Sequence, residues 1–225
     1  MENETLVRLS LRTPKAAAIA GILFFLLLTA AFWLLRILLP ADPQDSGVWL
    51  RNSSNEVTLG LNLVPFAGIA FLWFIGVLRD RLGELEDRFF ATVFFGSGVL
   101  FLAMLFIAAA IVGGILIAFA AQPDKVVESA SFHFARAAAY LIINIYMIKV
   151  AAVFMISTST VAIFTDFAPR WLAIAGYGLA LLLLIGSYYL SWSFVVFPFW
   201  VFLISVCILR DSIRRPAKLR TKTSS

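Results

Sequence analysis

The sequence predicts an all-α, polytopic membrane protein: a bundle of about six transmembrane helices with both termini in the cytoplasm. Three observations predict it. Hydrophobic residues make up 62% of the chain and charged residues 14%, against roughly half and about a quarter in a soluble domain. The apolar residues fall in runs of about twenty or more, the length that crosses about 30 Å of hydrocarbon. Lys and Arg gather on alternate connections between those runs, which fixes an orientation. Runs this long and this continuously apolar must be helices. Barrel strands would alternate, and any other backbone would leave polar groups unpaired in lipid.

The spans fall at about 16–39, 58–78, 89–120, 134–165, 171–190 and 192–210, a single transmembrane domain followed by a basic tail over 211–225. The first follows Arg8, Arg12 and Lys15. Its run from Ala16 to Leu39 exceeds the roughly 7–15 residues of a cleaved signal's apolar region, so it reads as a retained anchor. The second contains Pro65, which removes a backbone hydrogen bond and invites a bend. The third and fourth are too long for an upright crossing and must tilt or project. Projection into the outer space is expected, where their hairpin carries Gln122, Pro123, Asp124, Lys125 and Glu128. The fifth opens at Trp171. In the sixth, Pro198 lies among Trp192, Phe194, Phe197, Phe199, Trp200 and Phe202, either a lipid-facing surface or the wall of a lipid groove.

Orientation follows from charge. Arg79, Arg81 and Arg88 lie in the second loop and Arg170 in the fourth. The tail adds Arg210, Arg214, Arg215, Lys218, Arg220 and Lys222, while the first, third and fifth loops hold only Arg51 and Lys125, with Arg36 and Arg136 at span edges. The excess of cations on one side places both termini inside. Trp33, Trp49, Tyr188, Tyr189 and Trp192 then mark the outer interface and Trp73 and Trp171 the inner one. The tail is expected to lie against anionic lipid without folding independently. The mixed charges from Arg79 to Arg88 read as a solvated turn or a docking surface. The first outer loop, Ala41 to Val57, reads as irregular and contains a formal glycosylation acceptor, Asn52-Ser53-Ser54.

The net charge of +5 does not point to nucleic acid, because the basic residues sit at span ends and in the tail rather than on a folded basic face. Cys207 is the only cysteine, which excludes an intrachain disulfide and a multi-cysteine metal site. No nucleophile–base pair, paired carboxylates or HExxH pattern is present, so no catalytic residue, metal or cofactor is assigned.

The candidate site rests on polar groups at depth, since an ionisable side chain in hydrocarbon needs compensation. Every Asp and Glu lies in a loop, a terminus or at a span edge, which argues against a cation-coupled carrier. Lys149 stands apart, thirteen residues from Arg136 and seventeen from Asp166, or roughly 20 and 25 Å along a helix. Its stem of about 6 Å reaches neither surface, so it is expected to point into the bundle toward Tyr, Asn, Ser or Thr groups. Tyr146 and Val153 share its helical face, and Asn62, Ser97 and Tyr177 are partner candidates from other spans. Two readings of Lys149 stand: a lysine satisfied for structural reasons, or a cationic anchor for an anionic group. His133, Arg136, Tyr140 and Asn144 recur every three or four residues and form one stripe, either an interhelical hydrogen-bond seam or the lining of a vestibule. Ser157, Thr158, Ser159 and Thr160 make a hydroxyl cluster that reads as packing glue. The pairs Ala109/Gly113, Ala110/Gly114 and Gly176/Ala180 allow close helix approach within the bundle or between protomers.

Late in the chain, Ala168-Pro169-Arg170-Trp171-Leu172-Ala173 leads into Gly176-Tyr177-Gly178 and an aromatic, proline-bearing last span. This pattern, covering roughly the last third, resembles uncharacterised bacterial multi-span membrane-protein families of unknown function. The resemblance implies a bacterial cytoplasmic membrane protein and carries over no catalytic residue.

The leading functional expectation is a non-enzymatic protein that binds or moves a lipid-like or anionic amphiphile within the bundle, through Lys149, Tyr146, Asn144, Tyr140, Arg136, His133 and Asn62. The alternative is an accessory or scaffold subunit docked to a membrane-protein partner or to further copies of itself. A membrane enzyme is the third class.

Overall fold

Each long apolar run folds as a helix because a backbone group left unpaired in hydrocarbon has no water to turn to. The computed structural model describes residues 2–38, 54–82, 88–127, 129–165, 168–186 and 193–222. Among the described residues every regular element is helical. Helix α1 is Glu2–Leu38, α2 Ser54–Leu82, α3 Arg88–Ala121 and α4 the short Pro123–Val127. Helix α5, Ala130–Leu141, passes through a π turn, Ile142–Tyr146, into α6, Met147–Thr165, so that 130–165 form one rod. Helix α7 is Arg170–Gly186 and α8 Ser193–Lys222. The first outer loop up to Ser53, the charged residues 83–87, and Trp49, Tyr188, Tyr189 and Trp192 lie outside the described residues.

Five of these helices are long and apolar enough to cross a membrane, over Lys15–Leu35, Asn55–Arg79, Thr92–Ala121, Ala130–Phe164 and Ser193–Arg210. Helix α7 is apolar but has 17 residues, about 25 Å of rise, at the lower limit for a crossing. Helix α8 runs on from the last span to Lys222 without a break. A helix already nucleated by the span extends at one hydrogen bond per residue, and Arg and Lys are good helix formers.

Neighbours in sequence are neighbours in space. α1 and α2 form the most extensive helix pair; α2 also meets α3, α3 packs on the rod, the rod on α7, and α8 returns to α1. The turn at the far end of α3 is locked by Ser129. Its hydroxyl donates to the Val126 carbonyl at 2.7 Å and accepts the Phe132 N–H at 3.2 Å, capping α5. Ile115, Phe119 and Phe132 bury themselves there in a small cluster apart from the main core. This satellite core holds together the far end of the hairpin between α3, itself about 50 Å long, and the rod.

The centre of the bundle is a plug of phenylalanines. Phe71 on α2 stacks on Phe24 of α1 at 4.5 Å between centroids. It also meets Phe101 of α3 at 5.4 Å, Phe154 of the rod at 5.3 Å and Phe197 of α8 at 5.6 Å. Helix contacts in lipid gain from dispersion and shape rather than from leaving water, and ring-on-ring packing supplies both. The aromatics of the last span therefore divide: Phe197 and Trp200 belong to this core and Phe199 is exposed, so that span is neither simply a lipid face nor a groove.

Candidate functional site

The polar stripe begins on α5. His133 is exposed and sits edge-on to Phe132 at 5.5 Å. Arg136 is 6% exposed, whereas Tyr140 is 44% exposed. Three residues at helical spacing thus straddle the edge of the packed face instead of lining one vestibule. At Ile142–Tyr146 the ladder widens, and the Met147 N–H donates to the Ile142 carbonyl five residues back. The Asn144 amide donates to the Tyr140 carbonyl at 3.0 Å, so this asparagine serves its own helix where the ladder loosens. One extra residue in the turn shifts every later side chain by about a quarter of a revolution relative to an unbroken α-helix.

Beyond the π turn lies the largest departure from expectation. Lys149 is exposed on the outside of the rod, not directed into the bundle. Tyr146, 54% exposed, and Val153 share its face as the spacing requires, but the face is the outer one. Met147, Ile148, Ala151, Ala152, Phe154 and Met155 hold the inner side. The reason is packing. The interior at this level is filled mostly by apolar side chains, Phe32, Phe101, Phe194 and Phe197 among them, beside the buried Ser193, whereas a lysine on the rim keeps its amine out of the core. Of the expected partners, Ser97 donates to the Val93 carbonyl of its own helix at 2.6 Å. Tyr177 bonds Thr160, and Asn62 is exposed on α2, which packs chiefly on α1 and α3. Among the described residues none of these groups bonds Lys149.

The hydroxyl cluster behaves as expected in part. Ser157, Thr158 and Thr160 donate to carbonyls three or four residues back, and only Thr160 also crosses to a neighbour, meeting the Tyr177 hydroxyl at 2.7 Å. Ser159 Oγ and Trp200 Nε1 are buried without a partner, and both lie where a methyl added to Gly176 would go. Gly176 thus allows α7 to approach the rod and α8 closely, and Ala180 beside it is fully buried. The other small pairs do not serve the bundle in this way. A methyl on Gly114 would meet nothing within 4 Å, and one on Gly113 only Leu61 at 3.8 Å.

An apolar cleft opens between α1, α3, the rod, α7 and α8 beside Leu28, Phe32, Met147, Phe194 and Pro198. Its free volume is about 10 Å³, about one water's room and far below that of a lipid chain. Among the described residues no three His, Cys, Asp or Glu come together. The phenylalanine hub went unread in the sequence, because 22 phenylalanines spread over apolar runs give no sign of which ones converge.

The architecture defines a polytopic membrane helix bundle with a filled centre. No protein-family profile matches the chain, and no curated protein or solved structure matches it.

Proposed function

We propose that the chain is a non-enzymatic protein of a bacterial cytoplasmic membrane. It crosses that membrane six times with both termini inside, and works as an accessory subunit that docks another membrane component on its lipid-facing exterior. Helix α7 supplies the sixth crossing, and the cationic segments on one side supply the orientation. The observation that carries the docking role is Lys149, exposed on the outer side of a membrane-spanning rod. Charged groups inside membranes pair with one another or face water, so a cation on the outer surface of a bundle calls for an external partner.

The hub of Phe24, Phe71, Phe101, Phe154 and Phe197 packs the centre of the bundle, which favours a site on the exterior over an amphiphile carried inside. The exposed amine beside Tyr146 favours a second reading, in which an anionic amphiphile binds the same face from the lipid side. Extraction of the native chain in lipid nanodiscs followed by native mass measurement separates the two. The docking reading expects a discrete protein complex of fixed stoichiometry that is lost in Lys149→Met. A chain carrying only lipid, with or without Lys149, contradicts it.

A further inference from the structure

The depth of Lys149 can be measured against its neighbours. Arg79 closes the apolar run of α2 and lies over the Phe95 ring of α3 at 4.8 Å, which marks the level of one membrane face. Phe71 stands eight residues up the same helix, about 12 Å away. Phe154 of the rod touches Phe71 and, on its other side, Phe94 of α3 at 4.9 Å. Lys149 lies five residues further from the Arg79 level than Phe154 does, and within the apolar span Ala130–Phe164 it stands fifteen residues from one end and nineteen from the other, about 22 and 28 Å of helical rise, well inside a core about 30 Å thick. A lysine stem of about 6 Å closes neither gap.

Four facts then stand together. The amine is at mid-membrane depth. It is on the exterior of the bundle. It has no hydrogen-bond or ion-pair partner among the described residues. No carboxylate of this chain lies far from a span end, so a second copy brings none to that depth either.

We propose that the strip formed by Tyr146, Lys149 and Val153 is the docking site for a transmembrane helix of a different protein, and that this helix presents a carboxylate to Lys149 at mid-membrane depth. The proposal rests on the docking reading above and names the chemistry of the partner. The strip is narrow because Met147, Ile148, Ala151 and Ala152 turn inward on either side of it. One helix, rather than a broad surface, fits such a strip. Val153 and the ring of Tyr146 give it apolar contact on both sides of the charge, and the Tyr146 hydroxyl offers a further donor to the second carboxylate oxygen.

The test uses the full chain in neutral phosphatidylcholine bilayers with a designed poly-Leu/Ala transmembrane peptide that carries a single central Glu, or Gln in its place. Energy transfer between labelled chain and peptide reads association. The Glu peptide is expected to bind about tenfold more tightly than the Gln peptide, in the range of a polar interhelical contact in lipid. That preference is expected to vanish in Lys149→Met and persist in Lys149→Arg, with helix content and elution volume unchanged in both. Equal binding of the two peptides, or a preference that survives in Lys149→Met, overturns the proposal. So does Lys149-dependent self-association without peptide, which would assign the strip to a second copy. Lys149-dependent retention of phosphatidylglycerol without a Glu preference would assign it to a lipid headgroup. If the peptides bind equally while a discrete membrane protein still accompanies the native chain, the docking reading stands and only the carboxylate is wrong.

Discussion

Replacing Phe71 with alanine tests whether the bundle has a packed centre. Phe71 is fully buried and meets rings from four other helices, with centroids 4.5–5.6 Å away. The helices remain in lipid when they separate, and lipid is as apolar as the core, so the water-to-oil part of the usual penalty largely drops out. The void remains. Removing the phenyl ring opens roughly 100 Å³, and at about 24 cal/mol per Å³ of uncollapsed cavity the cost is about 2–3 kcal/mol, below the about 3–5 of a soluble core. Phe66 on the same helix is the matched control, since it is 60% exposed and lipid chains refill the space it leaves. Reversible unfolding in bicelles should show Phe71→Ala destabilised by about 2–3 kcal/mol and Phe66→Ala within about 0.5 kcal/mol of the parent. Equal losses at the two positions would refute the reasoning, because they would mean that Phe71 faces the same environment as Phe66.

Further expectations concern packing and orientation. Gly176→Ala should destabilise the bundle by about 1–3 kcal/mol through overpacking against Trp200, whereas Gly114→Ala should be neutral or slightly stabilising; melting in detergent compares the two. The Thr160–Tyr177 bond should give a coupling of about 0.6 kcal/mol and not more than about 1.7 in a double-mutant cycle of Thr160→Val with Tyr177→Phe; zero coupling would remove it as a helix link. In a Cys207→Ala background, Gly83→Cys and Arg220→Cys should resist an impermeant thiol reagent in intact cells while Gly47→Cys and Lys125→Cys react; the reverse pattern would invert the orientation.

The helices were legible because hydrocarbon thickness and backbone satisfaction leave a long apolar run one choice. Which way each helix faces was not. In water, periodicity separates core from surface, but in lipid both faces are apolar. Phe71 and Phe66 differ by five positions and look alike in the sequence, yet one is buried and the other faces outward; the same holds for Phe154 and Phe164. For Lys149 the spacing rule did group it with Tyr146 and Val153. The direction of that face depended on rings from other helices that fill the interior at its level. The π turn added a second obstacle, since IINIY carries no mark that separates a wide turn from an α turn, and it resets the register between the His133–Asn144 stripe and everything after it. The small-residue pairs illustrate the same limit. Gly176 makes a close approach and Gly114 makes none, although both belong to the same four-residue pattern.

The direction of Lys149 carries the account, and a spin label reads it most directly. Single cysteines at 148, 149, 152 and 153 in a Cys207→Ala background, labelled and reconstituted alone in a bilayer, report collisions with oxygen, which concentrates in lipid, and with a water-soluble nickel chelate. Positions 149 and 153 should collide freely with oxygen and little with the chelate, and 148 and 152 should be shielded from both. Shielding at 149 together with exposure at 148 or 152, or chelate access at 149 matching that of a water-filled lumen, would contradict it.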